Sequence, residues 1–282
     1  MARRRQLAAA RGPGESRREH AAGRAVGSPT RGTTNPNRLR RVDRWLTTAH
    51  EVRTPLRRAA DPLVVDLGYG ASGITTIELS TRLRAVYPGV RVLGLELDPA
   101  RVAAAAPFAD PPRLDFRQGG FELAETRPVL VRAFNVLRQY AEDEVPGAWK
   151  LILDRLAPGG LLVEGTCDEI GRLCAWLTLS AAGPRSLTLS CRLDTLDRPS
   201  TVAERLPKAL IHRNVPGERV HDFLSTLDRC WAATAPHLAF GPRFRWVETV
   251  RLLVARGWPV LDGPGRWRLG ELTVPWHTVA PE

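Results

Sequence analysis

Residues 64–79 read VVDLGYGASGITTIEL, and few folds accommodate them. A short aliphatic run ends in glycine, a turn with a second glycine follows, and a helical pattern begins at once. An apolar run of that length reads as a strand covered on both faces. A covered strand feeding straight into a helix opens a right-handed βαβ unit. Gly68 and Gly70 let the backbone turn tightly and approach a ligand with no Cβ in the way, and the start of the helix offers free main-chain N–H groups.

The same alternation continues. Strand-like runs at 90–97, 113–116, 129–134 and 161–166 are separated by helical patterns at 73–86, 99–106 and 142–157. Strands separated by helices imply an α/β fold, a Rossmann-like, mostly parallel sheet with helices on both faces. Beyond residue 170 the pattern changes. Residues 172–180 and 186–193 read as an antiparallel hairpin, 218–234 and 243–256 as helices, and 258–274 as a closing hairpin around Asp262-Gly263-Pro264-Gly265. The expected organisation is a disordered Arg-rich tail (1–31), a helical segment (32–60), a ligand-binding core (61–170) and a C-terminal hairpin and helical part (171–282) that completes the domain.

Charge is concentrated at one end. Residues 1–44 carry twelve Arg against Glu15, Glu19 and Asp43, most of the chain's net +11, so the body is nearly neutral. The tail has almost no large apolar residues and reads as a solvated arm able to make nonspecific contact with a polyanion. Leu39, Val42, Trp45 and Leu46 then fall at helical spacing, which docks this segment on the core and brings Arg38 or Arg41 near the first Gly-rich turn as a lid. Only Lys150 and Lys208 are lysines, a bias typical of a GC-rich, bacterial coding sequence. The four cysteines have no CxxC spacing, which argues against structural zinc and a disulfide framework; reduced thiols in a cytoplasmic protein are expected. No run of about 18 apolar residues occurs, so no membrane contact is expected.

The chemistry-bearing set is ordered along the chain. Asp66-x-Gly68-x-Gly70 ends the first strand, Glu96 ends the second, Gly119-Gly120 follows the third, and Pro158-Gly159-Gly160 precedes the fifth. Over roughly residues 60–170 this set resembles class I S-adenosylmethionine-dependent methyltransferases. The resemblance implies S-adenosylmethionine as cofactor, with Asp66, Gly68 and Gly70 lining its methionine part and Glu96 holding the ribose. Gly119 and Gly120 would line the adenine end, with Phe121 packed against the ring. The family's usual acid near the adenine amino group is replaced by Gly120. A dinucleotide reading also meets the spacing, through Gly68, Gly70 and Gly73, but Asp66 would place a carboxylate close to a phosphate-bearing loop.

The acceptor is less legible. Asn135, at the end of the fourth strand, is the candidate catalytic residue, able to accept from a substrate hydroxyl or amine; its alternative role is a strand-end turn. Arg138 and Tyr140 are further candidates, Glu164, Asp168 and Glu169 are expected to face the same crevice, and His212 is a candidate base. A small-molecule acceptor is favoured by the near-neutral, Trp-rich body, RNA is the alternative, and a non-catalytic cofactor- or nucleic-acid-binding module is the rival class. Oligomeric state is left open.

Overall fold

The computed structural model describes residues 25–29 and 34–281. Two short helices come first, α1 (Arg40–Thr48) and α2 (His50–Arg58), and α1 buries Val42, Trp45 and Leu46. Then follow β1 (Leu63–Leu67), α3 (Ile74–Arg84), β2 (Arg91–Glu96), α4 (Pro99–Ala105), β3 (Leu114–Gln118), β4 (Leu130–Phe134), α5 (Val145–Leu153) and β5 (Leu161–Cys167). Local chemistry sets the boundaries. Asp98 caps α4 by accepting from the Ala100 N–H at 2.9 Å, and Pro99 takes the first helical position, where a missing N–H costs nothing.

The C-terminal half adds β6 (Leu173–Ser180), β7 (Gly183–Cys191), α6 (Lys208–Ile211), α7 (Arg219–Ala233), α8 (Pro242–Ala255), α9 (Pro264–Trp267) and β8 (Glu271–Pro275). All eight strands form one sheet in the order β3-β2-β1-β4-β5-β6-β7-β8. The first five run parallel and the last three antiparallel, giving the Rossmann-like α/β architecture its meander edge. The expected closing hairpin at 258–274 does not form. Pro264 starts the short helix α9 instead of a turn, and β8 pairs with β7. Of the incoming segment, Leu261 bonds across to Thr273, at 2.9 Å.

Side chains alternate across the sheet into two apolar layers. One layer joins Val64, Leu130, Val163 and Trp176 to α1, α2 and α3, with the Trp45 and Trp176 rings edge to face at 5.4 Å. The other joins Val65, Val131, Leu162 and Leu177 to α5, α7 and α8. No helix among the described residues is long and apolar enough to cross a membrane.

Strand order reverses between β1, which continues through β2 to β3, and β4, which continues to β5. At such a switch point the loops leaving the carboxyl ends of the strands diverge and open a crevice.

Candidate functional site

The floor of the crevice is a buried ionic cluster. Asp66 in β1 and Arg132 in β4 are register partners, and both are buried on the α1/α3 side. The Arg132 guanidinium donates to both Asp66 oxygens at 2.8 and 2.6 Å and to the Thr75 carbonyl at 3.0 Å. Its remaining nitrogen pairs with Asp43 of α1, which also meets Arg82 of α3 at 2.5 Å. Burial pushes the Asp43 carboxyl above its usual range, and Arg132 and Arg82 pull it back. Asp66 also accepts from the Thr76 hydroxyl at 2.7 Å. It borders the crevice as an ion-paired anchor of the turn.

Above this floor the Gly-rich turn closes on Glu96. Gly68 and Gly70 are in the left-handed region, at φ 68° and 83°. The Gly70 N–H donates to one Glu96 oxygen at 2.9 Å, and the Leu97 N–H donates to the other at 2.9 Å. Arg101 approaches the carboxylate at 3.7 Å. The Gly68 N–H is used by the Leu95 carbonyl at 2.7 Å.

A narrow pocket lies beside Glu96, lined by Leu97, Gly119, Gly120, Phe121, Val136 and Tyr140, with the Phe121 and Tyr140 rings 5.4 Å apart. It is filled by the chain's own residues 26–28. The Val26 carbonyl accepts from the Phe121 N–H at 2.9 Å, and the Val26 N–H donates to Glu122 at 2.8 Å. The other Glu122 oxygen accepts from the Gly120 N–H at 2.7 Å. The Ser28 N–H donates to the Tyr140 hydroxyl, and Gln139 donates to the Ser28 carbonyl at 2.8 Å. A Cβ on Gly120 would lie 1.9 Å from the Val26 carbonyl oxygen, so only glycine permits this contact. The expected tail, 1–31, is therefore docked where it is described, at 25–29; its other residues lie outside the described residues. Glu122 was not legible as a site residue. It stands two positions beyond Gly120, and the turn brings its carboxylate back to the Gly120 N–H.

Leu67 and Gly68 also border a wider, open cavity of 360 Å³, lined further by Arg38, Phe134, Asn135, Arg138, Glu169 and Arg205. Arg38 donates to the Asp168 carbonyl at 2.9 Å. Arg138 donates to the Glu204 carbonyl at 2.9 Å, and the Arg205 Nε is buried without a partner. Burial and the neighbouring Arg205 both lower the pKa of Arg138. Neither Arg138 nor Arg205 has a carboxylate at ion-pair distance among the described residues. The cavity lining thus carries Arg38, Arg138 and Arg205 beside Asp66 and Glu169, with Asp66 already paired to Arg132.

Asn135 sits at this cavity in the left-handed region, φ 60°, with its amide committed to β5. Its carbonyl oxygen accepts from the Cys167 N–H at 3.1 Å, and its NH₂ points at the Cys167 sulfur at 3.4 Å. That geometry serves the strand-end turn. Other expected members lie elsewhere. Glu164 points into the α5 layer and both its oxygens lack partners. Burial pushes its carboxyl up to about 8, the Trp149 indole pulling the other way. His212 is exposed and contacts Lys208 at 3.1 Å, away from the cavity lining. Arg41 donates to the Leu269 carbonyl at 3.2 Å, so of the two expected lid arginines Arg38 alone reaches the cavity. Among the described residues no group of His, Cys, Asp or Glu is arranged to hold a metal ion.

No family model matches the chain, and no curated protein matches it. Solved structures resemble part of it. Human N-acetylserotonin methyltransferase, in complex with S-adenosylmethionine, is 23% identical over 46% of this chain and 40% of its own, with a TM-score of 0.31. Magnesium protoporphyrin IX methyltransferase from Synechocystis PCC 6803, with bound S-adenosylhomocysteine, is 19% identical over 46% and 54%, with a TM-score of 0.35. A TehB-like S-adenosylmethionine-dependent methyltransferase from Corynebacterium glutamicum is 25% identical over 50% and 67%, with a TM-score of 0.33. The chain thus spans about half the length of the first two.

Proposed function

We propose that this chain transfers the methyl group of S-adenosylmethionine to a small acceptor carrying an anionic group. The observation that carries the nucleoside half is the pairing of the Phe121 N–H with the Glu122 carboxylate, a donor beside an acceptor. The adenine edge presents the complement, a ring nitrogen that accepts beside an amino group that donates. Glu96 at the end of β2 suits the ribose hydroxyls, and the Phe121 and Tyr140 rings suit the faces of a flat heterocycle. The turn argues against a pyrophosphate, because the Gly68 and Gly70 N–H groups are already used and Glu96 stands against them.

When bound, S-adenosylmethionine supplies a methyl group already activated by its sulfonium. What remains for the protein is alignment and exclusion of water. The Asp66–Arg132 pair fixes the floor, Asn135 locks the end of β4 to β5, and Arg138 and Arg205 orient the acceptor in the wide cavity. A cationic acceptor would meet repulsion there, whereas a carboxylate or phosphate gains charge-assisted hydrogen bonds.

S-Adenosylhomocysteine is expected to raise the melting temperature, and NAD to leave it unchanged; stabilisation by NAD alone would overturn the reading. Glu96→Gln keeps the volume of this buried group, removes its charge and leaves one oxygen to accept from the main-chain N–H groups that Glu96 serves with two. It is expected to weaken S-adenosylhomocysteine binding by about 1.5–3 kcal/mol, read by calorimetry. Glu96→Ala is the poorer test, because the Gly70, Leu97 and Asp98 N–H groups would lose their acceptor with it. For the acceptor, the double variant Arg138→Gln/Arg205→Gln is expected to bind inorganic phosphate about tenfold more weakly with unchanged S-adenosylhomocysteine affinity. Equal phosphate binding by variant and wild type removes the anionic acceptor. Labelled methyl transfer into an RNA fraction, with none into small molecules, would favour the RNA alternative.

A further inference from the structure

We propose that residues 25–29, Ala-Val-Gly-Ser-Pro, are an internal adenine mimic, which occupies the nucleoside pocket and must leave before the cofactor enters. This rests on the nucleoside reading of that pocket given above.

The argument is one of pattern and space. A single residue, Val26, presents its N–H and its C=O to the pocket, and both are bound: the carbonyl by the Phe121 N–H at 2.9 Å and the N–H by Glu122 at 2.8 Å. This is the donor–acceptor pair an adenine edge would offer, in the same two contacts. Ser28 extends the hold through Tyr140 and Gln139. The space left around the segment is 10 Å³, about room for a single water. A nucleoside and this segment therefore exclude each other.

The segment is also suited to leave. Its hold is made of main-chain hydrogen bonds at a partly exposed surface, and Val26 is 42% exposed. Such bonds are weak in net terms because water replaces them. Gly120 is the other half of the device. The position where the resembled family carries its adenine-binding acid is a glycine here, and a side chain there would drive out the Val26 carbonyl. Moving the acid to Glu122 keeps an acceptor for an adenine amino group while opening the pocket wall to the segment. Apparent cofactor affinity then equals the intrinsic affinity scaled by the fraction of molecules with the segment released.

The test uses the full-length chain with Gly27→Val. Gly27 has φ 137°, and a Cβ there would stand 3.0 Å from the Tyr140 hydroxyl and 3.2 Å from Leu97. The substitution strains the docked segment and leaves the pocket residues in place. Hydrogen exchange at the Phe121 N–H, without ligand, reports release of the segment. Calorimetry with S-adenosylhomocysteine and with adenosine reports the pocket. Expected are faster Phe121 exchange, binding of both ligands about tenfold tighter than wild type, and faster exchange at residues 25–29 of the wild type when S-adenosylhomocysteine is added. Unchanged affinity would show that segment and ligand do not compete. Weaker affinity would show that the segment is a wall of the cofactor site. Either overturns the mimic and leaves the methyltransferase reading standing. Failure of both ligands to bind a variant whose segment has been released overturns the nucleoside pocket itself, and the mimic with it.

Discussion

Arg132→Met is expected to lower the free energy of unfolding by about 3–5 kcal/mol, because it leaves two buried carboxylates without the cation they share. Asp43 would retain Arg82, but Asp66 would keep only the Thr76 hydroxyl. At roughly 2–4 °C per kcal/mol for chains of comparable size, the melting temperature falls by about 6–20 °C. Urea denaturation measures the effect directly. The triple variant Arg132→Met/Asp43→Asn/Asp66→Asn should recover most of the loss, since the penalty comes from unmatched charge and not from the missing guanidinium as such. A loss below about 1 kcal/mol in the single variant would mean that the cluster is hydrated, and its role as the floor of the site would be withdrawn.

The second large effect depends on pH. Glu164 is buried, both oxygens lack partners, and its carboxyl is pushed up to about 8. The folded protein therefore holds a proton that the unfolded chain releases near the ordinary glutamate value. By linkage, the stability this proton contributes is fully present below that ordinary value and is lost as the pH rises through about 8. The full effect is on the order of 4 kcal/mol. Glu164→Gln is the neutral isostere. Urea melts at pH 5, 7 and 9 should show wild type losing more stability with rising pH than the variant, the difference between the two profiles being the Glu164 contribution. Parallel pH profiles would show that Glu164 does not titrate in the folded core.

The parallel half of the fold is readable because its signals are local. The 64–79 stretch carries strand, turn and helix start within sixteen residues, and each boundary has its own chemistry. The C-terminal edge is less readable. Gly263-Pro264-Gly265 looks like a turn, but proline serves a helix start equally well, and the choice depends on what α9 packs against. Residues 25–29 are hard to read from sequence for a different reason. Composition reports apolar burial, whereas this segment is held by main-chain groups that every residue type shares. Arg132 did leave a trace. An arginine inside VLVRAF, a run otherwise fit for a covered strand, has to find a buried acid, and Asp66 on the neighbouring strand is one of the two it meets. Glu122 left none, because its position depends on the turn around Gly120.

The ionic cluster has a consequence for how this chain can change over time. Asp43, Asp66 and Arg132 belong to α1, β1 and β4, and up to 89 positions of sequence separate them. A drifting lineage cannot lose Arg132 alone without stranding Asp66, so these sites are tied together by electrostatics across distant stretches of sequence. A fragment ending before Arg132 would carry the glycine turn but not the cation beneath it. Grafting residues 64–79 onto another sheet would fail for the same reason unless an arginine were supplied from the neighbouring strand.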